Sequence, residues 1–211
     1  MASVREILGA FLSCVAMGYV CYGEALHAWF VSDDHVLLYG LHDARGGLEA
    51  LGVREGAPFF RPLLALSFWF DWFVLDADPV LMHGLNVVLH ALAGTSLWAL
   101  ARAWTGSTAA AGVTLLAFMT FPLHPEAVTW ISARGYPLGG CFVLLALLLA
   151  GSGRGPGRLV ACAACGFAAL CSVEATLPLV CWPFLLAWGT GRARDGGRAS
   201  AVLALVTVAW F

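Results

Sequence analysis

Charged residues are scarce in this sequence, and lysine is absent altogether. Only 11% of the 211 residues are charged, whereas 61% are hydrophobic and the mean hydropathy is +0.84. A soluble globular domain of this length needs far more polar surface than these residues supply. The composition therefore excludes a soluble globule and indicates a membrane protein, in which all positive side-chain charge other than histidine's belongs to arginine.

The apolar stretches also lack the alternation of polar and apolar residues that barrel strands show. Several windows of about 17–25 residues carry few or no charges, which is the length a helix needs to cross about 30 Å of hydrocarbon. Backbone groups in lipid must be satisfied within the segment, so continuous apolar runs favour helices. We predict an all-α, polytopic transmembrane helix bundle of about six to seven spans, with a long first outer loop and an interfacial helix.

The seven cysteines form neither a disulfide framework nor a metal-binding pattern. Most lie inside apolar runs, where a thiol usually packs as a small hydrophobic group. Cys162 and Cys165 form a C-x-x-C pair, but an alanine-rich run surrounds them and no second pair or histidine lies nearby. Packing is the favoured interpretation, and the sequence predicts no metal site and no cofactor.

The spans are predicted from the apolar runs in chain order. The first, 7–30, is expected to be an uncleaved signal anchor, the alternative being a signal peptide cleaved near Gly23. Further spans are predicted at 79–101, 103–123, 136–151, 159–173 and 175–189, with a seventh starting near Ala199; between them lie a polar loop from Phe30 to Arg61, an interfacial helix from Arg61 to Asp78, and an interfacial segment from Glu126 to Arg134. We expect residues 1–211 to be a single transmembrane domain, the N-terminal fragment of a larger protein.

The arginines predict the orientation of these spans. With a cytoplasmic N-terminus, the inner segments carry seven arginines (Arg5, Arg102, Arg154, Arg158, Arg192, Arg194 and Arg198) and the outer ones carry four (Arg45, Arg54, Arg61 and Arg134). An excess of arginine marks the cytoplasmic side. We therefore predict a multi-pass protein of the plasma membrane with a cytoplasmic N-terminus and an external first loop.

A polar stripe runs along the second predicted span. His83, Asn86 and His90 are separated by three, four and seven positions, which places them on one helical face. Such a face should point into the bundle and away from lipid. The two histidines lie about 10 Å apart along a helix, too far to share a metal ion. Interhelical hydrogen bonding is the favoured role of Asn86 and His90, whereas His83, nearest the loop, is the stronger functional candidate.

The outer ends of the spans collect the residues able to do chemistry. A charge at a helix end near the interface is inexpensive, so each residue alone is more often a solvated boundary residue than a functional one. Their convergence on one face is what indicates a site. The set comprises Asp33, Asp34, His35, Arg61, His83, His124, Glu126, Arg134 and Glu174.

The order of these motifs resembles a known family. The motifs are Asp33-Asp34 after the first span, an aromatic-Arg-Pro about 25 residues later, Pro79-x-x-x-His83-x-x-Asn86-x-x-x-His90, the series from Pro122 to Arg134 that contains His124, Glu126 and Trp130-Ile131-Ser132, and Glu174 followed by Pro178. Together they are similar to the GT-C membrane glycosyltransferases, and most similar to the N-terminal half of the TPR-containing transmembrane O-mannosyltransferases and their bacterial relatives. The resemblance covers about Phe30 to Trp188.

The resemblance implies transfer of a mannose-like sugar from a polyprenyl-phosphate carrier, the donor substrate, to an acceptor hydroxyl at the outer membrane face. It implies a base on Asp34 or Asp33, and carrier-binding roles for Arg61, His83, His124, Arg134 and Glu174. Chemistry agrees, because an attacking hydroxyl must lose a proton and a leaving phosphate needs a cation beside it. The expected partners are the lipid carrier and a protein or glycan acceptor, with a possible soluble C-terminal domain and no nucleic acid.

Adjacent carboxylates in an extended loop point different ways, so one should face the cavity and the other should tether the backbone. We predict Asp34 as the base, because it lies further from the apolar end of the first span, with Asp33 as the alternative.

Two departures from the family pattern keep other functions open. Relatives have a lysine before the late glutamate, where this chain has Val173, and an acid shortly after the arginine, where it has Gly135-Tyr136-Pro137. A non-catalytic membrane scaffold of the same fold is one alternative. A lipid or anion transporter is another, although the internal repeat typical of many transporters is not seen.

Overall fold

A computed structural model describes residues 2–42, 60–151, 155–183 and 193–210 of the chain. Within these ranges the α helices are α1 (Val4–Tyr22), α2 (Asp33–His42), α3 (Pro62–Val74), α4 (Pro79–Thr105), α5 (Thr108–Met119), α6 (Pro125–Thr129), α7 (Gly135–Gly151), α8 (Pro156–Ser172) and α9 (Ala193–Trp210). Short 3-10 helices cover Gly23–His27, Ile131–Arg134 and Glu174–Val180. The described ranges contain no strand, so the predicted all-α class is confirmed.

The described helices divide into long and short apolar segments. Three stretches are long and apolar enough to cross a membrane, namely Val4–His27, Pro79–Thr105 and Ile131–Gly151. Shorter apolar helices cover Pro62–Val74, Thr108–Met119, Pro156–Ser172 and Gly196–Trp210. At 1.5 Å per residue, a helix the length of α3 reaches only about 20 Å. The chain is a helical membrane bundle, in which three of the six to seven predicted spans reach full length within the described residues.

Capping residues explain why the observed ends of several helices differ from the predicted span boundaries. Ser3 and Glu6 form a reciprocal capping box that starts α1 ahead of the predicted Ile7. The second span runs on to Thr105, where Gly106 adopts the left-handed conformation at φ 67° and ends the helix. Ser107 then caps α5 by accepting a hydrogen bond from the Ala110 backbone. The predicted third span therefore loses its first residues to α4.

The predicted long outer loop is in part a helix. Ser32 adopts the left-handed conformation at φ 49°, and α2 begins directly after it. Asp33 and Asp34 occupy the first turn of α2, where the helix dipole favours negative charge. Extended backbone was the wrong expectation for residues 33–42, because two acids after a serine are also a helix-start pattern. Residues 43–59 of the predicted loop, and residues 184–192 around the end of the predicted sixth span, lie outside the described ranges.

Helix α4 lies at the centre of the bundle and packs against α1, α5 and α7. Glycine lets these helices approach closely: a Cβ atom on Gly18 would lie 2.8 Å from Val87, and one on Gly94 would lie 2.9 Å from Met119 Sδ. Helix α8 packs against α7 and α9. His83, Asn86 and His90 are all buried, so their predicted position inside the bundle is confirmed.

The helix directions separate two ends of the bundle. Glu6 at the start of α1 lies near enough to Arg102, at the end of α4, to interact electrostatically. At the other end, Gly135 lies against the Ser172 carbonyl oxygen and Leu64. This second end, called the acidic end below, carries Asp33, Asp34, Arg61, Asp71, Arg134 and Glu174.

Candidate functional site

The two adjacent acids of α2 have opposite environments. Asp34 is fully buried, whereas Asp33 is exposed. Asp34 Oδ2 accepts a hydrogen bond from the Val31 backbone N–H at 3.0 Å, and Asp34 Oδ1 accepts two more from Ser132. Asp33 accepts a hydrogen bond from the Ser32 hydroxyl at 3.2 Å. The tethered carboxylate is therefore Asp34 and the exposed one is Asp33, the reverse of the arrangement we predicted.

Ser132 connects the acid pair to the centre of the bundle. It lies in the 3-10 helix Ile131–Arg134, and its backbone N–H and its hydroxyl donate to Asp34 Oδ1 at 2.8 Å and 2.5 Å. Asn86 of α4 holds the preceding residues through its side-chain amide, which donates to the carbonyl oxygens of Val128 and Trp130, both at 3.2 Å. The predicted interhelical role of Asn86 thus has a defined geometry.

Arg134 is a fully buried charge in which each of the three guanidinium nitrogens has a hydrogen-bond acceptor. Its guanidinium donates to Asn86 Oδ1 at 2.7 Å, to the Met82 carbonyl oxygen at 3.1 Å and to Asp71 Oδ2. The side chains of Arg134 and Asp71 are both 0% exposed, and Phe68 stacks on the guanidinium at 4.7 Å. These partners, above all the Asp71 counter-ion, offset the cost of burying the charge. This geometry argues against Arg134 as a carrier-binding residue.

Arg61 and Glu174 form a second ion pair, nearer the surface. Arg61 lies just before Pro62 at the start of α3, and Glu174 opens the 3-10 helix that follows α8. The Arg61 fork donates through Nε and Nη2 to the two Glu174 oxygens at 2.8 Å and 2.5 Å. These hydrogen bonds from Arg61 lower the pKa of Glu174 below its ordinary value. Because the side chains remain 24% and 39% exposed, the pair is accessible to an anionic ligand.

A cavity of about 270 Å³ lies among α4, α7 and the 3-10 helix that Glu174 opens. Its wall is mostly apolar, with His90 and His124 among the lining residues, and it includes Ala175 and Thr176, which directly follow Glu174. The His90 ring stacks on Phe118 at 4.8 Å and meets the His124 ring edge-on at 5.0 Å. Among the described residues, His90 Nε2 has no hydrogen-bond partner. The cavity can hold an apolar chain with a polar group near the histidines.

The remaining predicted residues have mixed positions. His83 is buried at 2% exposure, near the backbone of Ala28 and Thr129 and near enough to Asp34 to interact electrostatically, so it does not face an open site. His124 is half-buried and its Nδ1 lies 2.9 Å from the Phe118 carbonyl oxygen. His35 and Glu126 are exposed. No cluster of three or more metal-ligating side chains occurs in the described part of the chain.

Sequence reasoning missed Asp71 and Ser132. Asp71 had a signal, because an acid inside the apolar helix α3 must find a partner if that helix is buried. Ser132 had none, since a serine near a predicted interface is ordinary. The missed residues are the direct partners of Arg134 and Asp34. The sequence therefore predicted residues of the site but not the hydrogen bonds that join them.

Comparison with known proteins supports the resemblance seen in the motifs. The chain is 30% identical over 154 residues to the protein O-mannosyl-transferase TMTC1 of Mus musculus, covering 66% of this chain and 16% of that protein. Identity is 29% to TMTC1 of Homo sapiens, over 66% of this chain and 18% of the relative. It is 28% to the protein O-mannosyl-transferase TMTC3 of Mus musculus, over 67% and 17%. The chain therefore resembles the N-terminal half of these O-mannosyltransferases, as predicted.

The chain spans about a sixth of the length of the curated relatives it matches. No family model matches the chain. No solved structure matches it either.

Proposed function

We propose that this chain is the membrane-embedded part of a glycosyltransferase that moves a mannose-like sugar from a polyprenyl-phosphate carrier to an acceptor hydroxyl. The observation that carries the proposal is the similarity to proteins named as protein O-mannosyl-transferases, which covers about two thirds of this chain. By the same similarity, the acceptor is a protein side chain. Transfer takes place at the outer membrane face, with the N-terminus in the cytoplasm and the protein in the plasma membrane.

Asp33 is the general base in this mechanism, with Asp34 as its support. The acceptor oxygen bonds to the anomeric carbon while its proton passes to the Asp33 carboxylate and the carbon–oxygen bond to the carrier phosphate breaks. A base must reach the proton it removes, and the exposed Asp33 can meet an incoming hydroxyl. Asp34 is enclosed and already accepts three hydrogen bonds, which supports a positioning role and reverses the order we predicted.

Arg61 binds the carrier phosphate. A guanidinium fork matches the geometry of phosphate oxygens and stabilises the charge that collects on the leaving group. Glu174 occupies that fork in the structure, so binding of the carrier exchanges one anion for another at a half-exposed position. Glu174 therefore holds Arg61 in place before the donor arrives.

The apolar cavity receives the first isoprene units of the carrier. Its lining residues Ala175 and Thr176 directly follow Glu174, the partner of Arg61, which supports this assignment. His90 and His124 supply the polar edge of that cavity. The carrier itself provides the leaving group, and Arg61 supplies the positive charge beside it in this mechanism.

The test is a transfer assay with the purified full-length protein in lipid nanodiscs. Polyprenyl-phosphate mannose carrying a radiolabelled sugar is supplied with a serine- and threonine-containing peptide, and label on the peptide is measured. We expect transfer from this donor and none from a soluble nucleotide sugar. Binding of the donor without transfer would favour the non-catalytic scaffold, and donor movement across a proteoliposome membrane without transfer would favour the transporter.

A further inference from the structure

A buried polar network at the acidic end has no direct part in the proposed chemistry. Arg134 bonds Asp71 of α3 and Asn86 of α4, and Ser132, in the same 3-10 helix as Arg134, bonds Asp34 of α2. The network joins elements that are far apart in the chain: Arg134 is 63 positions from Asp71, and Ser132 is 98 positions from Asp34. It therefore fixes how these elements sit relative to one another.

The central part of the network has little freedom. Arg134 and Asp71 are 0% exposed, and the three acceptors of Arg134 come from two different helices. A guanidinium is planar, so three acceptors in fixed directions define its orientation. Asn86 adds a second attachment by binding the carbonyl oxygens of Val128 and Trp130. Hydrogen bonds therefore fix the backbone on both sides of Ser132, at Val128 and Trp130 before it and at Arg134 after it.

The peripheral part of the network carries this rigidity to the acid pair. Ser132 lies two positions before Arg134 and gives both its backbone N–H and its hydroxyl to one Asp34 oxygen. The other Asp34 oxygen binds the Val31 N–H, just before the left-handed Ser32. Asp33 lies in the chain between Val31 and Asp34, which this hydrogen bond joins. Its position therefore follows from that of Asp34.

We propose that Asp71, Asn86 and Arg134 are positioning residues, which hold the Ile131–Arg134 segment so that Ser132 fixes Asp34 and Asp34 presents Asp33 to the acceptor. This inference rests on the proposed function for its catalytic consequence. It assigns Arg134 to the acid pair and removes it from the carrier site. The structural half of the inference, that Ser132 orders the start of α2, stands on its own.

Hydrogen exchange measures the structural half without any activity. In the purified full-length protein, Ser132→Ala is expected to speed amide exchange across residues 31–40 by about tenfold, because a hydrogen bond to a charged group is lost. Ser132→Thr keeps the hydroxyl and should restore protection. Thr129→Ala is the matched control, since it removes a neighbouring hydroxyl that bonds only its own helix, through the Pro125 carbonyl oxygen. Unchanged exchange in Ser132→Ala would overturn the inference.

Kinetics measure the catalytic half. We expect Ser132→Ala to lower kcat about tenfold with little change in the donor KM, and to have less than about a twofold effect when Asp34 is already alanine, because the two act through one contact. An equal loss of kcat in both backgrounds would overturn action through Asp34. If the wild-type protein transfers no sugar, the proposed function fails, while the exchange result still decides the positioning.

The arginine is tested as a pair with its partner, since removal of Arg134 alone leaves a buried carboxylate without its counter-ion. The double variant Asp71→Asn with Arg134→Gln keeps polar groups at both positions. We expect it to raise exchange across residues 31–40 and to lower kcat. A rise in the donor KM with unchanged kcat and unchanged exchange would show that Arg134 contacts the carrier, which contradicts the inference.

Discussion

At the residue scale, the acidic end uses each arginine in a different way. Arg134 is fully enclosed and bonded to an equally enclosed aspartate, whereas Arg61 shares a half-exposed pair with Glu174. Enclosure makes the first pair a fixed structural element, because neither partner can change without leaving a buried charge. Exposure lets the second pair open for a ligand at modest cost.

The pH dependence of the Arg61–Glu174 pair follows from the lowered pKa of Glu174. The pair stabilises the fold fully above the ordinary glutamate pKa of 4.5, and that stabilisation is lost as the pH falls through the lowered value. Because the pair is partly exposed, its contribution should be less than about 1 kcal/mol. Thermal unfolding of wild type and Glu174→Gln should therefore differ at pH 7 and converge once the pH has fallen below the lowered pKa of Glu174. A difference that is independent of pH would show that the carboxylate charge is not involved.

At the scale of the element, apolar runs predicted the helices, and capping residues decided their ends. The stripe of α4 was predictable because a 3.6-residue period puts three polar residues on one face. A polar face is unfavourable in contact with lipid, so it points into the bundle. The start of α2 was not predicted, because Ser32-Asp33-Asp34 fits both a turn and a helix start. The pairing of Arg61 with Glu174 was also beyond the sequence, since it depends on how α3 packs against the end of α8.

Close contact between α7 and the end of α8 is needed to place Glu174. A Cβ atom on Gly135 would lie 2.8 Å from the Ser172 carbonyl oxygen, whereas one on Gly140, in the same helix, meets nothing within 4 Å. We expect Gly135→Ala to destabilise the protein by about 1–3 kcal/mol through overpacking against backbone. Gly140→Ala should be neutral or slightly stabilising, because alanine favours helix. Thermal unfolding in detergent measures both, and equal effects of the two substitutions would contradict the described packing.

At the scale of the whole molecule, the charged residues form two groups at opposite ends of the bundle, each with both signs. Asp33, Arg61 and Glu174 lie at the acidic end, while Arg5, Glu6 and Arg102 lie at the other. The spans predicted from the sequence place these two groups at opposite ends, and the helix directions agree; the arginine count predicted which end faces the cytoplasm. The sequence did not predict how deeply each polar residue at the acidic end is buried. The burial of these side chains depends on neighbours from distant parts of the chain.

The orientation of the bundle is testable by labelling. Ser32 is exposed at the acidic end, and Thr108 is exposed at the start of α5 near the opposite end. In a background without native cysteines, Ser32→Cys should react with an impermeant maleimide in intact cells. Thr108→Cys should react only after permeabilisation. The reverse pattern would place the acidic end in the cytoplasm and exclude transfer at the outer face.

The central claim is that an exposed carboxylate of the acid pair removes the proton of the acceptor hydroxyl. The most direct measurement is single-turnover transfer of mannose from the polyprenyl-phosphate donor by Asp33→Asn, which preserves shape and removes basicity. We predict a rate at least about 100-fold below wild type, as expected for loss of a general base. Asp76→Asn, the same change at another exposed aspartate, should transfer at the wild-type rate. Full activity in Asp33→Asn would contradict the account, and full activity in Asp34→Asn as well would reduce the pair to a helix cap.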